Sequence, residues 1–159
     1  MQTIHVAGGV GIAPTAMAAY DAALADAGLH DYNLVRVSSI VPEGATVAVV
    51  DRAPDLGPAG NRLTVVEARR TVGPDADADR IAAGLGWATG PGPGLFYEVA
   101  GEEPAAVRER IRRGLDAGAE LRDWELPDRE TLVVDAEPRA DAHTAAVVVA
   151  AYGESEPIL

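Results

Sequence analysis

The apolar positions of residues 3–7 predict a short opening strand, followed by a glycine-rich loop, Gly8-Gly9-Val10-Gly11. An alanine-rich stretch over 14–27 predicts a helix, with Pro14 suited to its first turn and Gly28 placed to end it. Residues 32–37 alternate as a strand does, and 45–50 form a second apolar strand. Between them lies the connection Ser38-Ser39-Ile40-Val41-Pro42-Glu43-Gly44. Residues 51–61, rich in Pro, Gly and Asp, read as a loop, and 62–68 resume as a strand.

Further on, residues 75–86 predict a short helix whose acidic first turn complements the helix dipole. Gly90-Pro91-Gly92-Pro93-Gly94 is an irregular connection into an apolar strand over 95–99, interrupted by one acid, Glu98. A helix over 104–117 follows, with Gly118 near its end and a solvated face made of Arg108, Glu109, Arg110, Arg112 and Arg113. Strands over 131–135 and 144–152 complete the pattern, and the tail after Gly153 is expected to be loosely held. Helices and strands mix without strict βαβ alternation, so the expected class is α+β, with helices covering sheet faces. The 159 residues are expected to form one domain, 1–159, with Trp87 and Trp124 as packing anchors.

Charge changes the picture of partners. The net charge is -12, and all 13 basic residues are Arg. An acidic, lysine-free, alanine-rich chain reads as adaptation to a salty cytoplasm that screens self-repulsion, or as the codon bias of a GC-rich genome. Either way the surface disfavours nucleic acid and anionic membranes and suits cationic ligands. There is no apolar run of membrane-spanning length, and the first residues lack the features of a signal peptide. A soluble, cytoplasmic protein is the expectation.

Two absences narrow the chemistry. Without Cys there is no thiolate nucleophile, disulfide or zinc-thiolate site. Without Lys the chain cannot hold pyridoxal phosphate as an internal Schiff base or build a Walker A loop. The three histidines, His5, His30 and His143, match no local metal spacing, so no metal is expected. Gly8-Gly9-Val10-Gly11 lacks the full dinucleotide fingerprint.

Taken alone, Ser38-Ser39 reads as a pair of turn serines, Glu98 as a solvent-facing strand acid, Asn33 as a strand-start residue and Asp21 as an exposed helix acid. The larger pattern is more specific. Ala19-Tyr20-Asp21-Ala22-Ala23-Leu24, Ala27-Gly28 and Asn33-Leu34-Val35-Arg36-Val37-Ser38-Ser39-Ile40-Val41-Pro42 are followed by Gly94-Leu95-Phe96-Tyr97-Glu98 and Leu121-Arg122-Asp123-Trp124-Glu125-Leu126. In that order they resemble the pyruvoyl-dependent arginine decarboxylases over nearly the whole chain.

The resemblance implies self-cleavage between Ser38 and Ser39, which makes a covalent pyruvoyl cofactor from Ser39. A serine is required because its oxygen is both nucleophile and leaving group. The resulting ketone forms a Schiff base with an amino acid and takes the place of pyridoxal phosphate. The resemblance further implies that Glu98 is the catalytic acid, that Asn33 hydrogen-bonds near the pyruvoyl group, and that Asp21 binds the guanidinium of arginine. Leu95, Phe96, Tyr97 and Val99 are expected to give Glu98 an apolar setting that raises its pKa. Agmatine is the implied product, and an αββα-type sandwich assembled as a homotrimer with inter-subunit active sites is the implied architecture. Two rivals stand beside this reading: a pyruvoyl-dependent decarboxylase of another amino acid, and an uncleaved, non-catalytic homologue that binds a cationic metabolite.

Overall fold

The computed structural model describes residues 2–159. In chain order the elements are β1 (Thr3–Ala13), α1 (Ala16–Ala27), β2 (Asn33–Arg36), β3 (Ile40–Val41), β4 (Thr46–Val49), β5 (Arg62–Val72), β6 (Ile81–Thr89), β7 (Gly94–Gly101), α2 (Pro104–Arg122), β8 (Asp128–Ala136) and β9 (His143–Tyr152). They build two sheets, of order β2-β5-β9-β1-β4 and β3-β7-β6-β8. The first is mixed, because β9 runs antiparallel to β1 and β5 while β2 and β4 pair parallel with β5 and β1. The second is antiparallel. The α+β class is therefore as expected.

Alternation along two central strands explains where the core sits. Ala145, Val147, Val149 and Ala151 of β9 cluster with Ala19, Ala23, Leu24 and Ala27 of α1. The intervening Val148 and Ala150 cluster instead with Leu85, Trp87 and Phe96 of the second sheet, and Ala146 with Ile81 and Ala83. In β6 the same rule places Ala82 and Ala88 against Val107, Ile111 and Leu115 of α2. Strands buried on both faces read as continuous apolar runs. Each buried Val or Leu contributes about 1.5–3 kcal/mol, so these strands anchor the fold. Trp87 is an anchor as expected, packed edge-on against Phe96 with ring centroids 6.2 Å apart.

Several expected elements are different in the structure. Gly8-Gly9-Val10-Gly11 is not a loop but the middle of β1. A Cβ on Gly9 would collide with the Ala23 carbonyl of α1, and one on Gly11 with the Ala19 carbonyl, so the glycines let the helix backbone lie directly on the strand. The helix expected over 75–86 is absent: 81–89 is β6, hydrogen-bonded on both sides by β7 and β8. Its alanines look helical, but Gly84 and Gly86 are there to admit α2, where a Cβ on Gly84 would lie 2.7 Å from Val107 Cγ1. Tertiary packing overrides propensity here.

The helix over 14–27 begins two residues later, where the Thr15 side chain caps the Ala18 N–H at 3.1 Å, and it ends at Gly28 with φ 81°. α2 runs past Gly118 to Arg122 and stops at Asp123, itself left-handed with φ 54°. β5 extends beyond residue 68 to Val72. The tail is tied down as far as Glu156: Ser155 N–H donates to the Leu56 carbonyl at 2.8 Å, and Arg62 and Glu156 exchange backbone bonds. No helix among the described residues is long and apolar enough to cross a membrane.

Candidate active site

Ser39 sits where the chain leaves the first sheet for the second. β2 pairs with β5 and is prolonged by one bond, Val37 N–H to the Val65 carbonyl at 3.0 Å. β3 then joins the edge of the second sheet beside β7. Between them Ser39 is forced to φ 64°. A left-handed conformation costs an L-residue about 1–2 kcal/mol, and it persists only where the flanks are held. Here the Ser39 carbonyl accepts the Phe96 N–H at 2.8 Å on the downstream side.

The Ser39 hydroxyl faces Glu98 of β7, with Oγ 2.8 Å from Oε2 and 3.0 Å from Oε1. An ionised carboxylate only accepts, so the hydroxyl donates. The setting of Glu98 is more open than its apolar neighbours suggest. Leu95, Phe96 and Val99 are buried in the core, whereas Tyr97 and Glu98 are exposed in the single chain.

A cavity of about 500 Å³ opens beside this pair. It is lined by Ile40 and Leu95 and, from α2, by Gly114, Ala117 and Gly118. Gly114 is small because a Cβ there would run into the Tyr97 ring.

Upstream, the chain is clamped through Glu67, whose side chain is 1% exposed. Its carboxylate accepts from Arg36 Nη2 at 2.7 Å, Arg36 Nε at 3.2 Å and Tyr20 Oη at 2.5 Å. Burial first, then the Glu67 hydrogen bond, push the Tyr20 phenol up to about 12. Arg69 lies over the Tyr20 ring, 4.7 Å from its centroid. α1 and β2 are thereby locked together just before Ser38.

Ser38, Ser39 and Glu98 thus meet in one place, and Ser38 lines the same cavity. Asp21 and Asn33 do not join them within one chain. Asp21 is exposed on α1, and Asn33, at the far end of β2, donates its amide to the Gly60 carbonyl at 2.8 Å. Six steps of chain lead from Asn33 to Ser39, a span of up to about 20 Å. Among the described residues no group of three or more His, Cys, Asp or Glu is placed to hold a metal.

Residues 3–157 match the family model of pyruvoyl-dependent arginine decarboxylase. The chain belongs to that family. It is 56% identical to the pyruvoyl-dependent arginine decarboxylase of Halobacterium salinarum, over 99% of this chain and 98% of the relative. It is 36% identical to that of Methanopyrus kandleri, over 89% of each chain, and 32% identical to that of Pyrococcus horikoshii, over 86% and 84%. The acidic, lysine-free composition fits kinship with a Halobacterium protein.

The family's pyruvoyl cofactor fits the residues present. Ser39 would supply its three carbons and its amide carbonyl, and that carbonyl already accepts the Phe96 N–H. Sequence reasoning passed over that N–H, the Arg36–Glu67 clamp and Tyr152, whose hydroxyl donates to the Ile40 carbonyl at 2.7 Å. The parity of β9 could have pointed to Tyr152, which falls on the same face as Val148 and Ala150.

Proposed function

We propose that this chain, one domain over residues 1–159, cleaves itself between Ser38 and Ser39 and acts in the cytoplasm as a decarboxylase converting arginine to agmatine. The observation that carries the reading is the left-handed Ser39 with its hydroxyl on the Glu98 carboxylate. Glu98 takes the hydroxyl proton as Ser39 Oγ attacks the Ser38 carbonyl, so the amide becomes an ester and the Ser39 nitrogen becomes a free amine. Loss of the Ser39 α-proton then expels the upstream fragment as a carboxylate ending at Ser38. Water converts the remaining dehydroalanine to the pyruvoyl group and releases ammonia.

The pyruvoyl group supplies the electrophilic ketone and the electron sink that decarboxylation needs. Cleavage removes the Ser39 partner of Glu98, which is then free to hold the proton destined for the substrate α-carbon. The arginine assignment rests on the names of the relatives and on Asp21, whose carboxylate suits a guanidinium.

The assembly we infer is an αββα sandwich subunit in a homotrimer, with Asn33 and Asp21 reaching the site of a neighbouring copy. Two features support it: neither residue lines the cavity of its own chain, and Tyr97 and Leu121, which do line it, leave apolar groups in water. The test mixes two inactive proteins, Ser39→Ala and Asp21→Asn. Mixed oligomers that regain agmatine formation support shared sites. Arginine giving neither carbon dioxide nor agmatine with cleaved wild-type protein in high salt counts against the substrate.

A further inference from the structure

Ile40 pairs with Leu95 and Val41 with Gly94 in antiparallel register, and just before them the Ser39 carbonyl accepts the Phe96 N–H. The Ile40–Leu95 position is therefore a non-hydrogen-bonded one, and the Ile40 carbonyl turns away from β7. β3 is the edge of its sheet and only two residues long, so that carbonyl has no strand beyond it to bind. Tyr152 fills this role from the other sheet, its hydroxyl donating to the Ile40 carbonyl at 2.7 Å. Its ring packs on Phe96 with centroids 5.9 Å apart, and Phe96 packs in turn on Trp87. The hydroxyl is thus mounted on core side chains.

We propose that Tyr152 is a positioning residue for self-cleavage: it ties the residue after Ser39 to the first sheet, so that Ser39 cannot relax from its left-handed conformation or withdraw its hydroxyl from Glu98. The upstream flank is held by the Val37–Val65 bond and the Arg36–Glu67 pair. Among the described residues, the backbone of the downstream flank is held by the short β3 pairing, the Phe96 N–H and Tyr152. Removing one of so few restraints lets φ at Ser39 fall back toward ordinary values, and the nucleophile leaves its carbonyl. Burial and the nearby Glu98 charge hold the Tyr152 phenol well above its ordinary pKa, which keeps it a donor through the neutral and moderately alkaline range.

The inference rests on the self-cleavage reading, and the test separates the two. Wild type and Tyr152→Phe are synthesised without cells into high salt, and fragment formation is followed by denaturing mass spectrometry with circular dichroism as the check on folding. Cleavage in the variant is expected to be about tenfold slower, the effect of losing one well-formed hydrogen bond. Added hydroxylamine, which cuts an ester, should not restore it, because the defect precedes ester formation. A variant that cleaves at the wild-type rate overturns the proposal, and so does one whose fragments are released quickly by hydroxylamine. Folded wild type that never cleaves overturns the self-cleavage reading instead.

If Tyr152→Phe does not fold, a polyfluorinated tyrosine at this position keeps the shape while ionising at lower pH than tyrosine does there, with burial and Glu98 still acting to raise its pKa. Cleavage relative to unmodified protein at the same pH should then fall where the phenol is ionised and recover where it is not. An unchanged ratio overturns the proposal.

Discussion

The Ser39 hydroxyl donates to the Glu98 carboxylate across 59 residues of sequence, 2.8 Å from one oxygen and 3.0 Å from the other. One strand junction and one strand of the second sheet create this contact, and two consequences follow for cleavage.

Glu98→Gln keeps the shape and a hydrogen-bond acceptor but cannot take a proton. Loss of a positioned base typically costs about 10²–10⁴ in rate. Fragment formation in Glu98→Gln should therefore be slowed by about 100-fold or more, measured as a time course in denaturing mass spectrometry. Cleavage at the wild-type rate would remove Glu98 from the processing step.

Ser39→Ala and Ser39→Gly should both stay uncleaved, yet they should differ in stability. At φ 64° alanine retains the left-handed cost of about 1–2 kcal/mol, while glycine escapes it. Glycine loses about 0.5–1 kcal/mol of that advantage through the entropy of its unfolded chain. Ser39→Gly is expected to be the more stable by roughly 0.5–1 kcal/mol in chemical denaturation. The reverse order would show that Ser39 is not strained.

Part of the candidate site is legible in the sequence. Ser38, Ser39 and Glu98 stand together because strands β3 and β7 carry their motifs side by side, whereas Asn33 and Asp21 lie apart from them. The glycines of β1 and β6 were not readable as strand residues. Gly9 and Gly11 admit α1, and Gly84 and Gly86 admit α2; a helix that lands on a strand is a tertiary fact invisible to local periodicity. The same holds for Glu67, an ordinary strand acid in sequence whose burial depends on Tyr20 and Arg36 arriving from α1 and β2.

Those glycines yield a packing test. Gly9→Ala would push a methyl group into the α1 backbone, and overpacking of this kind costs about 1–3 kcal/mol. A lowered denaturation midpoint is expected. Gly92→Ala, where nothing lies within 4 Å, should leave the midpoint nearly unchanged. Equal effects at the two positions would argue against the strand assignment of Gly9.

Alkaline stability should report on Tyr20. Its folded pKa of about 12 exceeds the ordinary 10.0, so the unfolded chain releases the phenol proton first. The contribution is fully present below about pH 10 and is lost as the pH rises toward about 12. Tyr20→Phe should lack this component, giving a shallower fall in stability over that window. An identical fall in both proteins would exclude Tyr20 as its source.

The most direct measurement is the mass of the folded chain after incubation in high salt. Self-cleavage predicts a fragment of residues 1–38 ending in a carboxylate, and a fragment from residue 39 onward that is lighter by one ammonia than the same peptide beginning with serine. A chain that stays at its full mass while folded by circular dichroism would contradict the account.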